Sequence, residues 1–184
     1  MIELLPVLQR HFDKLQEHLV CFCETGVQVE GWFKGELLTL LSSLRGQELI
    51  RDFDREVEIP CGNVDLTVRT ESDLHWIELK HWLIGKQKGI TYGPNFYFGD
   101  RTSIGAVKDV DKLVSIVSPG RLWLLILLTA NPGKDPWLAA VDKFNSKFSP
   151  RCLTSQSRPE DFPGTYFLGL LEVCKGGVHD SGRH

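Results

Sequence analysis

Apolar residues recur at helical spacing in two segments at the start of the chain. The first segment covers about the first 20 residues, and the second runs from Val29 to a stop near Gly46. Residues three and four apart lie on one side of a helix, so this spacing predicts two amphipathic helices. Their apolar positions are Leu4, Leu5, Leu8, Phe12, Leu15 and Leu19, followed by Val29, Phe33, Leu37, Leu40 and Leu44.

Three segments in which apolar and polar residues alternate follow the helices. They are Arg55–Pro60, Gly62–Thr70 and Leu74–Trp82. Alternation with a period of two is typical of strands that have one buried face. Short turn sequences separate them, at Cys61-Gly62 and Glu71-Ser72-Asp73. The pattern therefore predicts an antiparallel meander of three strands.

The next stretch, Ile84–Arg101, has no period and is rich in Gly, Lys and aromatic residues. A loop of this length in a compact domain is often functional. Thr102 or Ser103 then offers an N-cap to a third helix. The apolar stripe of that helix contains Ile104, Val107, Val110, Val114 and Val117.

The last third of the chain alternates between strand and helix patterns. Leu122–Leu128 is continuously apolar, as expected for a central strand with both faces covered, and it precedes a helix near Pro136–Phe148 and a strand near Thr165–Val173. The order of elements predicts an α/β fold, a three-layer sandwich with a central mixed β-sheet.

Composition narrows the class of protein. Hydrophobic residues make up 42% of the 184 residues and charged residues 24%, which excludes a largely disordered chain. Lysine and arginine total 21 against 24 acids, a net charge of −3, which excludes a protein that coats nucleic acid by bulk positive charge. No apolar run is long enough for a membrane helix, and the N-terminus lacks the pattern of a signal peptide, so we expect a soluble, cytoplasmic protein.

The cysteines and histidines do not indicate a structural metal site or a disulfide scaffold. The five cysteines contain no CxxC pair, and the six histidines are scattered. We therefore expect reduced thiols and no zinc site.

The residues that could act in catalysis or metal binding lie mainly on the second and third strands of the meander. Strand parity places Glu78 and Lys80 on one face, and Asp65 points away from the apolar side of its own strand. A two-residue turn at Glu71-Ser72 pairs Asp65 with Glu78, and a four-residue turn pairs it with Lys80. Either turn brings the three side chains to one face, whereas a three-residue turn without a bulge would separate them.

Two carboxylates and an amine on neighbouring strands suit one kind of chemistry. Mg²⁺ and Mn²⁺ prefer oxygen ligands, and one or two ions could bind between Asp65 and Glu78. A lysine beside such a site can hold a water molecule, and a divalent cation favours the loss of its proton and neutralises a phosphate. The set therefore favours hydrolysis of a phosphodiester. The alternative is an ordinary cross-strand charge pair on a solvent-facing strand.

These residues resemble the signature of the PD-(D/E)XK nuclease superfamily. Asp65 lies in the sequence GNVDLTV, and Glu78-Leu79-Lys80 follows thirteen residues later in WIELK. The superfamily shares a restriction-endonuclease-like core of helix, three-strand meander, helix and strand (αβββαβ), which is similar to the order predicted for residues 29–129. Val64 stands where the signature has proline, which lowers the specificity of the match but removes no ligand.

The resemblance implies a role for each residue and a division of the chain. Asp65 and Glu78 would bind the metal together with the carbonyl of Leu79, and Lys80 would orient the attacking water. An acid on the preceding helix often completes the site; Glu36 matches best, and Glu30 competes with it. Residues 1–174 would form a single nuclease-like domain with an extra N-terminal helical extension (1–24), and residues 175–184 a disordered tail.

The loop after the third strand is a candidate nucleic-acid contact. Lys86, Lys88 and Arg101 alternate with Tyr92 and Phe96–Phe98, a mixture that can bind phosphates and stack on bases. Aromatic residues that cap the core are the equal alternative. Lys108 and Lys112, beside Asp109 and Asp111 on the next helix, are typical of a solvated helix face.

The sequence thus predicts a metal-dependent nuclease that hydrolyses phosphodiester bonds of nucleic acid, with DNA favoured as the substrate. A homodimer would suit the cleavage of both strands of a duplex. The alternatives are a catalytically silent module on the same fold that binds nucleic acid or protein, and a hydrolase of another phosphoester.

Overall fold

The computed structural model describes residues 1–87, 90–99 and 105–175, and the side chains of 86, 87, 90 and 91 lie outside that description. The helices are α1 (Leu5–Asp13), α2 (Gln16–Thr25), α3 (Glu30–Gly46), α4 (Pro94–Gly99), α5 (Ala106–Val114) and α6 (Lys134–Phe148). The strands are β1 (Asp52–Ile59), β2 (Gly62–Arg69), β3 (Leu74–Trp82), β4 (Gly85–Gln87), β5 (Ile90–Tyr92), β6 (Arg121–Leu128), β7 (Cys152–Ser155) and β8 (Phe167–Cys174). Short 3₁₀ turns lie at Ile2–Leu4 and Pro159–Asp161.

Six of the strands form one sheet in the order β1-β2-β3-β6-β8-β7. The β3–β6 pair is parallel and the other neighbouring pairs are antiparallel, so the sheet is mixed. The helices pack against this sheet, which confirms the predicted α/β class and is consistent with a three-layer sandwich. The strands β4 and β5 form a separate hairpin.

The predicted meander is confirmed, with β1, β2 and β3 joined by tight turns. The amide of Thr70 donates to the carbonyl of Asp73 (2.9 Å), which closes the two-residue turn at Glu71-Ser72. The register that follows pairs Arg69 with Leu74 and Leu66 with Ile77. This is the register in which Asp65 lies opposite Glu78.

The strand β6 lies at the centre of the sheet, as its continuous apolar run predicts. It pairs with β3 on one side and with β8 on the other. Residues Leu122–Leu128 are all buried, because helices and neighbouring strands cover both faces. Four tryptophans, Trp76, Trp82, Trp123 and Trp137, are buried in the same core.

The N-terminal segment differs from the prediction of one continuous helix. It divides into α1 and α2 at Lys14-Leu15, where both amides donate to carbonyls three residues earlier. The break lets Phe12 and Leu19 both lie fully buried. Phe12 packs against Phe33 of α3, so this extension contributes to the main core.

The stretch Ile84–Arg101 is not an aperiodic loop, which corrects the sequence-based expectation. It contains the β4–β5 hairpin and α4, whose three and six residues are too few to produce a visible period. The strand β7 was missed for the same reason, since Leu153 is its one fully buried residue.

The helix predicted from Thr102 or Ser103 is observed as α5, which begins after Gly105. Val117 was expected on its apolar stripe, but it lies beyond the end of α5 and is 95% exposed. Thr102, Ser103 and Ile104 lie outside the described residues, as do residues 176–184 of the predicted tail.

Candidate active site

The strands β2 and β3 part at the position of the candidate site. Their regular pairing ends at Leu66–Ile77, while β2 continues beside β1 and β3 continues beside β6. Asp65 lies at this point of divergence. Its Oδ2 accepts a hydrogen bond from the amide of Leu79 (2.9 Å), so the carboxylate replaces the strand partner that the amide would otherwise have.

Asp65 is also bound by a lysine from α3. The Nζ of Lys34 lies 3.0 Å from Asp65 Oδ1, and the same amine contacts Glu56 of β1. Burial raises the pKa of Asp65, but hydrogen bonds from the Leu79 amide and Lys34 outweigh it and hold the pKa below its ordinary value. Asp65 is therefore ionised, with both carboxylate oxygens in contact with donors.

Glu78 lies beside Asp65 and is almost fully buried, with 1% of its surface exposed. Burial and the charges of Asp65 and Asp109 raise the pKa of Glu78 to about 8, although Lys112 of α5 opposes the shift. Lys112 Nζ is 2.7 Å from Glu78 Oε1 and donates to the carbonyl of Asn63. Oε1 accepts no well-aligned hydrogen bond from the described residues, so this buried oxygen keeps an unused lone pair.

Lys80 extends from the same strand and is half-buried beside α5. Its Nζ is 3.4 Å from Asp109 Oδ2. Burial lowers the pKa of Lys80, but the carboxylates of Asp109, Glu30 and Glu78 raise it above its ordinary value. Lys80 is therefore a charged amine, held by Asp109 next to the two strand carboxylates.

The structure places Glu36 outside this cluster. Glu36 Oε2 lies 3.0 Å from His11 Nε2, so it faces α1. Two residues along a helix correspond to about 200°, which turns Glu36 away from the side that carries Lys34. Glu30 lies one turn before Lys34 on that side, and its charge acts on Lys80. Of the two competing helix acids, Glu30 is the one whose charge acts on the cluster, although it is exposed and makes no ion pair there among the described residues.

Leu79 contributes through its backbone. Its side chain is buried in the core, and its amide is held by Asp65. The N–H and C=O groups of one strand residue point to the same side, so we expect the Leu79 carbonyl to face the gap between β2 and β3.

The predicted nucleic-acid contacts are described only in part. The side chain of Lys86, and the residues Lys88 and Arg101, lie outside the described residues. Two of the four aromatic residues of this stretch pack in the core, whereas Tyr92 is half-buried and Phe96 is exposed. Tyr97 stacks on Trp82 with 4.7 Å between ring centroids, and the ring centroids of Phe98 and Trp137 are 5.5 Å apart. These two rings cap the core and do not present a surface on which bases could stack.

The donor set suits a hard divalent cation. Asp65 and Glu78 supply adjacent carboxylates, and Glu78 Oε1 is a buried oxygen without a well-aligned donor. Within residues 1–87, 90–99 and 105–175, no group of three or more Asp, Glu, His or Cys side chains is arranged to hold a metal. Mg²⁺ is commonly bound through one or two carboxylates, with water and substrate oxygens as the other ligands. Two carboxylates therefore fit this ion.

Sequence reasoning missed three of the charged residues in the cluster: Lys34, Asp109 and Lys112. Lys112 was interpreted as part of a solvated helix face, but it binds Glu78. Asp109 is buried beside Val110, and an acid next to the apolar stripe of a helix is the signal that could have identified it. Lys34 has no comparable signal, because nothing in its spacing distinguishes it from other exposed helix positions.

Comparisons of the chain with protein-family models, with curated proteins and with solved structures find no significant match. Among the described residues, no helix combines the length and apolarity needed to cross a bilayer.

Proposed function

We propose that the protein is a divalent-cation-dependent nuclease of the PD-(D/E)XK type, built on a restriction-endonuclease-like core. The observation that carries the proposal is the meeting of Asp65 and Glu78 at the divergence of β2 and β3, with Lys80 two residues further along β3. Strand order supports it as well, because a helix, an antiparallel meander, a helix and a strand parallel to β3 occur in sequence.

Each residue of the site has a separate role in the proposed hydrolysis. Asp65, Glu78 and the Leu79 carbonyl would hold Mg²⁺ or Mn²⁺, which supplies charge neutralisation for the phosphate and promotes ionisation of water. Lys80 orients the attacking water, and its position is maintained by Asp109 at 3.4 Å. The burial of Glu78 excludes bulk solvent from one side of the site, which strengthens electrostatic interactions there.

The substrate class follows from the charges around the carboxylates. Lys34, Lys80 and Lys112 bring three amines to one site in a protein of net charge −3. Each amine contacts a carboxyl group of the site, so a divalent cation bound there would make the local charge positive. Local positive charge of this kind favours a phosphate-containing ligand, and the phosphodiester of DNA is the substrate that we propose first.

A second candidate function is a catalytically silent binding module on the same fold. Lys34 already pairs with Asp65, and Lys112 lies beside Glu78, so both carboxyl groups have a lysine partner without a cation. In a protein that binds no cation, such contacts give the carboxyl groups polar partners. Binding of Mn²⁺ at Asp65 separates the two functions, because the silent module has no use for the ion.

The deciding experiment measures cleavage of a supercoiled plasmid and a single-stranded DNA with and without Mg²⁺. We expect cleavage by the wild-type protein in Mg²⁺ alone, and a loss of about 100-fold or more in Asp65→Asn and Lys80→Met. Two exposed substitutions serve as matched controls, Glu58→Gln on β1 and Lys108→Met on α5, and both should keep the wild-type rate.

Two results would contradict the nuclease proposal. One is equal cleavage by the wild type, Asp65→Asn and Lys80→Met, which would identify a contaminating activity. The other is the absence of cleavage and of Mn²⁺ binding in a wild-type protein whose circular dichroism shows it to be folded; this result would favour the silent module.

A further inference from the structure

Two lysines from different helices lie in contact with the carboxyl oxygens that a cation would need. Lys34 of α3 lies 3.0 Å from Asp65 Oδ1, and Lys112 of α5 lies 2.7 Å from Glu78 Oε1. The other oxygen of Asp65 already accepts the Leu79 amide. A divalent cation that binds Asp65 and Glu78 must therefore share or displace these lysine contacts.

The charges of the two carboxyl groups and the two lysines indicate what the lysines would bind once a cation is present. Glu78, whose pKa is about 8 in the cation-free protein, loses its proton when a divalent cation binds to it. The two carboxylates, the two ammonium groups and the cation then sum to two positive charges, of which Glu56 beside Lys34 offsets one. An excess of this size attracts an anion, and a phosphodiester brings one negative charge, which increases in the transition state. Without the lysines, the cation alone would neutralise the carboxylates and no such excess would arise.

Both lysines have the freedom to change partners. Their side chains are not sealed in the core, with 19% of Lys34 and 22% of Lys112 exposed. Each has four rotatable bonds, and each lies on a helix beside the point where β2 and β3 part. Each also has a second partner, Glu56 for Lys34 and the carbonyl of Asn63 for Lys112, so neither amine depends on the candidate ligands alone. A rotation of the side chain can move the amine from a carboxylate to a ligand at the same point without movement of the backbone.

We propose that Lys34 and Lys112 act as an exchangeable pair of counter-cations. They hold Asp65 and Glu78 in the cation-free protein and contact the substrate phosphate when a divalent cation is bound. The inference rests on the proposed nuclease function and deepens it, because it names the residues that recognise the phosphate. It also predicts that the cation and the phosphate strengthen each other's binding, since coupling between two ligands is reciprocal.

The first test measures binding of Mn²⁺ alone by electron paramagnetic resonance of the free ion. If Lys112 competes with the cation, Lys112→Met should tighten Mn²⁺ binding by about tenfold, and Lys34→Met should act in the same direction. Lys112→Arg keeps the charge and should stay close to the wild type. Lys108→Met is the matched control, because Lys108 is exposed on the same helix, and it should leave the affinity unchanged.

The second test measures binding of a fluorescent DNA duplex by anisotropy in the Lys80→Met background, which prevents cleavage if Lys80 holds the water. Mn²⁺ should strengthen duplex binding in this background. Adding Lys112→Met should reduce that strengthening by about tenfold, although it tightens binding of the ion itself. A lysine with a merely structural role would not move the two affinities in opposite directions.

The outcomes separate this inference from the proposed function. Wild-type protein that binds no Mn²⁺ through Asp65, judged against Asp65→Asn, contradicts the nuclease proposal and with it the exchange. Wild-type protein that binds Mn²⁺, but with equal or weaker affinity in the folded Lys112→Met and Lys34→Met variants, contradicts only the exchange. If Lys112→Met does not fold, Lys112→Gln replaces it in both measurements, and the same criteria apply.

Discussion

At the scale of single residues, Asp65 combines a structural and a proposed chemical role. Its carboxylate binds the Leu79 amide at the point where β2 and β3 separate, so it satisfies a backbone donor that would otherwise lose its partner. The same carboxylate is a proposed cation ligand. Asn keeps an oxygen for the amide and removes the charge, which is why Asp65→Asn is a cleaner test than Asp65→Ala.

His75 is a buried residue whose protonation we expect to reduce stability in acid, in addition to His81, whose pKa burial also lowers to about 4. His75 lies on β3, almost without exposure, and its Nδ1 accepts a hydrogen bond from the indole N–H of Trp123 (3.0 Å). Burial lowers the pKa of His75 to about 4. The folded protein therefore holds His75 neutral at pH values where the unfolded chain, with a pKa near 6.5, binds a proton.

The direction of the pH effect follows from this difference. The free energy of unfolding has its full value above pH 6.5. Protonation of His75 in the unfolded chain lowers it by about 3 kcal/mol as the pH falls from 6.5 towards 4. Urea unfolding at pH 7 and at pH 4.5 should show this loss in the wild type and a smaller loss in His75→Gln. His18→Gln, an exposed control, should keep the wild-type dependence; an equal slope in His75→Gln and the wild type would contradict the assignment.

At the scale of elements, the packing of α6 on β8 depends on one glycine. A Cβ added to Gly169 would lie 2.5 Å from Cη2 of Trp137, which is fully buried and donates its indole N–H to Ser155. Trp137 also packs edge-on against Phe167, with 4.9 Å between the ring centroids. The helix can approach the sheet this closely only because β8 has no side chain at Gly169.

We therefore expect Gly169→Ala to destabilise the protein by about 2–4 kcal/mol, because Trp137 must leave its rotamer or α6 must shift. Gly35→Ala is the matched control in α3, where an added Cβ meets no atom within 4 Å. Since glycine is unfavourable inside a helix, this control should be stabilised by about 0.5–1 kcal/mol. Thermal unfolding of the two variants should change in opposite directions, and a neutral Gly169→Ala would contradict the close packing.

The accuracy of sequence prediction for the elements depended on their length. The strand β3 and the helix α3 were predicted almost to their ends, because eight or more residues reveal a period. The hairpin β4–β5, the helix α4 and the strand β7 are too short for this, and contacts made elsewhere in the fold stabilise them. Tyr97 of α4, for example, stacks on Trp82 of β3.

At the scale of the whole molecule, the buried apolar residues form one cluster that extends from the N-terminal helices to β8. Phe12 of α1 is fully buried, and its ring centroid lies 5.5 Å from that of Phe33 of α3 and 6.5 Å from that of Tyr166. The segment 1–24 was predicted as a helical extension within a single domain of residues 1–174. Its contacts make it part of the same core, so we expect the described fold to unfold as a single unit.

This expectation predicts the behaviour of Phe12→Ala. Removal of a fully buried ring should cost about 3–5 kcal/mol, and the loss should affect the sheet as much as the N-terminal helices. Urea unfolding followed by circular dichroism and by tryptophan fluorescence should shift to the same lower midpoint. Phe96→Ala, an exposed control, should cost under about 1 kcal/mol. Two separate transitions in Phe12→Ala would contradict a single cooperative core.

The sequence determined one part of the candidate site, and the tertiary structure decided the rest. The period of two in β2 and β3 predicted that Asp65, Glu78 and Lys80 share one face if the turn has two or four residues, because strand parity is a local property. The structure decided that the turn has two residues. The helical contributions were different. The presence of Lys34 and Glu30 at the site, and of Glu36 beside His11, depends on how α3 is rotated against the sheet. That rotation is set by the packing of many distant apolar residues, and no local pattern encodes it.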